Sequence, residues 1–168
     1  VLGLGFALKL YPAIFVLPLA LHVLTSGRGR WDVRGALQVV GAAVATAVVV
    51  NVPFMVAGFS GWAASFEFQS RRQVDLSTNS VWYWGFRRWT GSEEFQSAMG
   101  VVSPLLVLAS FAIACAVGWL RYERTGTYPW VPVSAAMLCG FLLLHKVHSP
   151  QYTRSLLASV VLVNVRWG

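Results

Sequence analysis

Apolar residues along this chain gather in long runs rather than alternating with polar ones. The runs lie at about 1–24, 35–57, 99–120 and 130–145, and a further one opens at about 153 and continues to 168. A helix needs roughly 20 mainly apolar residues to cross a bilayer. The pattern therefore predicts an all-α, multi-spanning transmembrane helix bundle of four or five spans. The run at 130–145 is short, but Tyr128 and Trp130 suit its interfacial end and residues to His148 extend it.

One long polar stretch, 57–98, interrupts the runs. It holds Trp62, Trp82, Trp84 and Trp89 and five phenylalanines beside four arginines and four acids, far more aromatic surface than a solvated linker carries. The spacing of Trp62, Phe66 and Gln69 suits a helix lying in the membrane interface. Ser92 followed by Glu93 and Glu94 reads as an N-cap with acids in the first helical turn. The stretch is thus expected to be one long outer loop containing interfacial helices.

Composition agrees with a bilayer as solvent. Of 168 residues, 57% are hydrophobic and 11% charged, a balance that leaves a soluble globule short of polar surface. The chain opens at Val1 and closes at Gly168 inside a fresh apolar run, and is read as a carboxyl-terminal piece of a longer protein. Val1 to Leu24 lacks the charged start and cleavage site of a signal peptide. The net charge of +7 does not imply nucleic acid, because the arginines cluster between apolar runs as topology signals do. Cys115 and Cys139 lie inside apolar runs without metal or disulfide spacing, so they are taken as packing residues.

Basic residues tie in number on the two faces, so raw counting does not orient the chain. The positive-inside rule weights short loops, and the short basic linkers at 25–34 and 121–129 are accordingly expected in the cytoplasm. The 57–98 loop and the 145–152 segment then share the outer face.

Three places carry candidate chemistry. Lys9 stands within LKLYP in the first run, where an ionisable side chain costs at least ~2.5 kcal/mol near the bilayer centre. Either it snorkels to an interface, or it meets an anionic ligand beside a helix bent at Pro12. His145, Lys146, His148, Ser149, Pro150, Gln151 and Tyr152 gather donors between two apolar runs. A histidine pair at i and i+3 suits one helical face, yet no third metal ligand accompanies it, so no metal is expected; phosphate binding by Lys146 and a histidine is favoured over metal, with an ordinary interfacial turn as the alternative. Arg71 and Arg72 precede Asp75 in the long loop, and arginine grips phosphate bidentately. The aromatic faces there suit sugar rings or polyprenyl chains, or form an aromatic belt with basic neighbours. No outer acid is singled out by a partner.

The stretches KLYPAIFVLPLAL, FEFQSRRQVDLSTNSVWYW and HKVHSPQY together resemble the carboxyl-terminal half of bacterial glycosyltransferase family 87, polyprenyl-phosphate-mannose-dependent α-mannosyltransferases of the GT-C superfamily. The resemblance touches three separated segments across nearly the whole chain. Co-occurrence of K-x-x-P and S-P-Q-Y with the R-x-x-D and S-x-W elements is more specific than any one of them. Arg154 and Ser155 stand where the family usually carries leucine and tryptophan. The resemblance implies transfer of a mannose-like hexose from a polyprenyl-phosphate sugar to a glycolipid or polysaccharide acceptor, outside the bacterial plasma membrane. The expected partners are membrane lipid, the lipid-linked donor and the glycan acceptor, with no cofactor. The family's catalytic carboxylate usually lies upstream of this region, so the chain alone is expected to be inactive. Its own contribution is cationic: Lys9, Arg71, Arg72, His145, Lys146 and His148, with Gln151 and Tyr152, are the candidate substrate-binding residues, stabilising the departing lipid phosphate. A transporter or permease subunit is the competing class, since an intramembrane lysine and a kinked helix also mark substrate pathways; a structural subunit is the third.

Overall fold

A computed structural model describes residues 11–27 and 31–147. The described residues are helical with no strand, in line with the all-α expectation. A 3-10 turn, Tyr11–Phe15, leads into α1 (Val16–Thr25), followed by α2 (Val33–Arg71), the short α3 (Val81–Gly85), α4 (Glu93–Thr125) and α5 (Trp130–Leu144). The candidate span opening at residue 153 lies outside the described residues, as does the start of the first.

Among the described residues two helices are long and apolar enough to cross a membrane, α2 and α4. Only 6% and 11% of their most apolar stretches are buried by the rest of the chain, which distinguishes them from core helices of a water-soluble fold. α5 has 15 residues, about 22 Å at 1.5 Å per residue, shorter than the roughly 30 Å hydrocarbon layer. The expected extension of this run to His148 is not followed, because the helix stops at Leu144.

The chain divides into two compact units, Val1–Arg71 with Gly118–Trp130, and Arg72–Val117 with Val131–Gly168. In the first, α1 ends where the hydroxyls of Thr25 and Ser26 turn back on the Leu21 and His22 carbonyls, pairing groups that a helix end leaves open. The Asp32 N–H then bonds the Leu24 carbonyl at 2.9 Å while its carboxylate accepts from the Gly35 N–H at 2.8 Å, so one residue closes α1 and caps α2. The two helices pack directly on each other. A side chain at Gly35 would meet Val23 Cγ1 at 2.8 Å, and glycine permits that approach.

α2 is not one rod. Its helix is broken at Gly58 (φ −173°, ψ 80°), five residues after Pro53. Trp62, beyond the break, donates from its indole N–H to Asn51 Oδ1 at 3.0 Å, and the Asn51 amide donates to the Ala47 carbonyl. Phe59, Trp62 and Phe66 stack along the later stretch, with centroids 5.7 and 4.9 Å apart; the Trp62–Phe66 spacing is helical as expected. Elsewhere in this unit His22 Nδ1 donates to the Tyr128 carbonyl at 3.0 Å, and Trp31 stacks on Trp119.

In the second unit, α4 and α5 run antiparallel. Ser103 meets Leu144, Ser110 meets Gly140, and Cys115 Sγ lies 3.9 Å from Met137 Sδ, so contacts advance along one helix as they retreat along the other. A Cβ at Gly140 would lie 2.8 Å from the Ser110 Cβ; the small residue sets the helix separation. Both cysteines are free. Ser92 caps α4 through the Phe95 N–H, as the sequence predicted.

Candidate functional site

The segment from Arg72 to Ser92 precedes α4 and is held by polar side chains bonded to backbone. Gln96, on the first turn of α4, accepts from the Val74 N–H at 2.8 Å and returns its amide to the Val74 carbonyl at 3.0 Å and to the Thr90 carbonyl at 2.6 Å. One side chain thereby clamps both ends of the segment. Asp75 then caps a 3-10 turn, Leu76–Thr78, in a reciprocal capping box with Thr78. Asn79 follows in the left-handed region at φ 44°, a conformation asparagine tolerates better than most residues. Ser80 caps α3 through the Tyr83 N–H. Thr78 and Ser80 are fully buried, and Val74, Tyr83 and Met99 form a small core with Trp82 and Phe95 against it.

Asp75 is therefore not an acid without partners. The Ser77 hydroxyl, at 2.6 Å, holds its carboxyl below the ordinary range, helped by the Thr78 N–H and the charge of Arg72 and only partly opposed by burial. A carboxylate kept ionised in this way is a poor general base near neutrality, and its work is structural. Glu67 also has a partner: it pairs with Arg71 one helical turn on. The i,i+4 spacing carried that signal. Arg71 is 78% exposed in this pair, so its guanidinium is committed to a neighbour on its own helix.

Arg72, His145 and Lys146 come together in the second unit. Trp82 Nε1–H donates to the Leu144 carbonyl at 2.8 Å, and the buried Ser103 hydroxyl donates to the same oxygen at 2.8 Å. The chain leaves the helix immediately afterwards. His145 stacks on Phe141 at 4.8 Å, with its Nδ1 facing the Val147 N–H at 3.2 Å and the Val147 carbonyl at 2.9 Å. Burial lowers the His145 pKa; the Val147 backbone opposes the shift, while the charges of Lys146 and Arg72 reinforce it. Burial likewise lowers that of Lys146. Both Lys146 and Arg72 are thus close enough to His145 to disfavour a third charge, and an anion in their midst would relieve that conflict.

Of the sequence candidates, the structure brings Arg72, His145 and Lys146 into one neighbourhood and leaves Arg71 paired with Glu67. Lys9, His148, Gln151 and Tyr152 lie outside the described residues. Among the described residues no three histidine, cysteine, aspartate or glutamate side chains group as metal ligands would. Sequence reasoning missed Gln96, Ser103 and the anchoring role of Trp82. Gln96 stands one residue past the capping-box position counted from Ser92, and neither it nor Ser103 carries a local signal.

These features define a helical chain with two helices long and apolar enough to cross a membrane and a group of cations gathered at one helix end. Residues 1–150 match glycosyltransferase family 87, and the chain belongs to that family, a family of membrane glycosyltransferases. Membership decides among the three classes weighed from sequence in favour of the transferase. No curated protein and no solved structure matches the chain.

Proposed function

We propose that this chain forms the donor-phosphate half of a membrane hexosyltransferase, which moves a mannose-like sugar from a polyprenyl-phosphate carrier to a glycolipid or polysaccharide acceptor. The observation that carries the reading is the gathering of Arg72, His145 and Lys146 where α5 ends, in a chain of glycosyltransferase family 87. A lipid-linked sugar keeps its polyprenyl tail in hydrocarbon and its phosphate at the surface. The end of a short apolar helix is a suitable place for cations that meet it. As the glycosidic bond breaks, negative charge accumulates on the phosphate, and cations already in position stabilise that charge more than they stabilise the bound donor.

In this reading the short basic linkers are cytoplasmic, the 57–98 stretch with its interfacial helices faces outward, and the chain is a multi-pass part of the bacterial plasma membrane. Lys9, His148, Gln151 and Tyr152 join the same substrate site, and the general base comes from outside this chain. Arg71, paired with Glu67, has the weakest claim among the cations.

The test is transfer of radiolabelled mannose from polyprenyl-phosphate-mannose in membranes containing matched amounts of full-length protein. Lys146→Ala or Arg72→Ala lowers the rate roughly a hundredfold, the scale of losing one oriented electrostatic donor, and Lys9→Ala does the same. Unchanged rates in all three variants would remove the cation site.

A further inference from the structure

Two residues of the proposed site, His145 and the cation Lys146, sit on a turn whose position is fixed from behind. A helix ends with four carbonyls that lack intrahelical partners, and a carbonyl oxygen has two lone pairs. At Leu144 both lone pairs are engaged by donors from elsewhere in the unit, the Trp82 indole N–H and the Ser103 hydroxyl, each at 2.8 Å. His145 and Lys146 are the next two residues.

We infer that Trp82 and Ser103 are positioning residues for the His145–Lys146 turn, holding the Leu144 carbonyl so that the cations stand where the donor phosphate binds; this rests on the donor-phosphate reading above. Both donors are themselves rigidly placed. Ser103 is fully buried on α4. Trp82 lies on α3, whose start is capped by the buried Ser80, and its ring stacks on Phe86 at 6.1 Å and packs against the Val74, Tyr83 and Met99 core. That core is closed in turn by the Gln96 clamp on Val74. A chain of contacts thus runs from the Arg72 segment to the peptide immediately before His145. The same tryptophan ties the loop to α5 at the residue just before His145, on which the charges of Arg72 and Lys146 both act. Loss of either donor leaves the helix formed but lets the turn drift, and misplacement on the scale of an ångström is costly to an electrostatic site.

A residue that acts only through Lys146 loses its importance once Lys146 is gone, and a double-mutant cycle reads this directly. Trp82→Phe retains an aromatic ring in the core and removes the N–H. Ser103→Ala removes the second donor with almost no change in volume, and keeps the question open to measurement if Trp82→Phe accumulates poorly. In membranes with matched levels of full-length protein, each single variant is expected to lower kcat about tenfold while the KM for polyprenyl-phosphate-mannose stays within about twofold, because the misplaced charge acts chiefly in the transition state. On a Lys146→Ala background either change should slow transfer by a further factor of about two or less. Full rates in both Trp82→Phe and Ser103→Ala would overturn the inference. So would the same tenfold loss repeated on the Lys146→Ala background, which would mark a general structural role. If Lys146→Ala alone transferred at the unsubstituted rate, the positioning role would fall while the donor-phosphate reading rested on Arg72 and Lys9; unchanged rates in all three alanine variants would remove both.

Discussion

The apolar stretch of α2 and the segment between Arg72 and Ser92 are built on opposite plans. On α2, large apolar side chains point away from the rest of the chain: Val49 is 70% exposed and Val56 82%. In the segment, Thr78 and Ser80 are buried while Leu76 and Trp84 lie outside. A water-soluble protein hides its valines and displays its hydroxyls. Here the arrangement is reversed: α2 is long and apolar enough to cross a membrane, whereas the segment owes its shape to hydrogen bonds between side chains and backbone. Hydrophobic surface decides where α2 can reside; polar satisfaction decides what conformation the segment adopts.

A charge should separate the two plans most sharply. Val49→Arg places a guanidinium on an outward face of α2 and is expected to cost about 3 kcal/mol of membrane insertion, seen as loss of protein from the membrane fraction. Leu76→Arg, at a site nearly as exposed, should change accumulation little. Equal losses at the two sites would erase the distinction.

A smaller effect is expected from Gln96→Leu, which keeps the helix and removes three hydrogen bonds to the Val74 and Thr90 backbone. Leaving such groups unpaired costs on the order of 2 kcal/mol. New protease cleavage between residues 72 and 92, with α4 uncut, is the result to look for. An unchanged digestion pattern would show that the segment is held by apolar contacts after all.

The smallest effect concerns acid. The Asp75 carboxyl is depressed in the folded chain, chiefly by the Ser77 hydroxyl, so its contribution to stability is complete above the ordinary carboxylate pKa near 4. It is lost as pH falls through the lower folded value. Amide exchange at Thr78, whose N–H the carboxylate accepts, should lose protection across that acid range more steeply than in Asp75→Asn. Identical acid profiles in the two proteins would mean that the carboxylate does not hold the turn.

What could be read from sequence follows the range of the interactions involved. The helical class shows in the length of the apolar runs, and the Ser92 cap in three adjacent residues, because both are local. The Glu67–Arg71 pair and the capping turn from Asp75 to Thr78 were local as well and open to the same reading. By contrast, the donors on Leu144 come from 41 and 62 residues away, and the Gln96 clamp closes over 22. Such contacts leave no periodic trace. They also mark where the chain leaves α5: the Leu144 carbonyl is taken by Trp82 and Ser103, and His145 turns its ring onto Val147. The gathering of Arg72 with His145 and Lys146 was legible only as two separate basic spots, at 71–72 and 145–148. Their meeting depends on that tertiary stop.

The bond between Trp62 and Asn51 also has a consequence in time. A polypeptide is made from its amino end, and Trp62 follows Asn51 by 11 residues, about one second of synthesis at ordinary rates. During that interval the Asn51 amide can already donate to Ala47 within its own turn, but the side-chain oxygen has not yet met the indole. The helix up to Gly58 is therefore made before its polar group is fully paired, and the bond closes from behind, when the chain has turned at Gly58 and the tryptophan arrives.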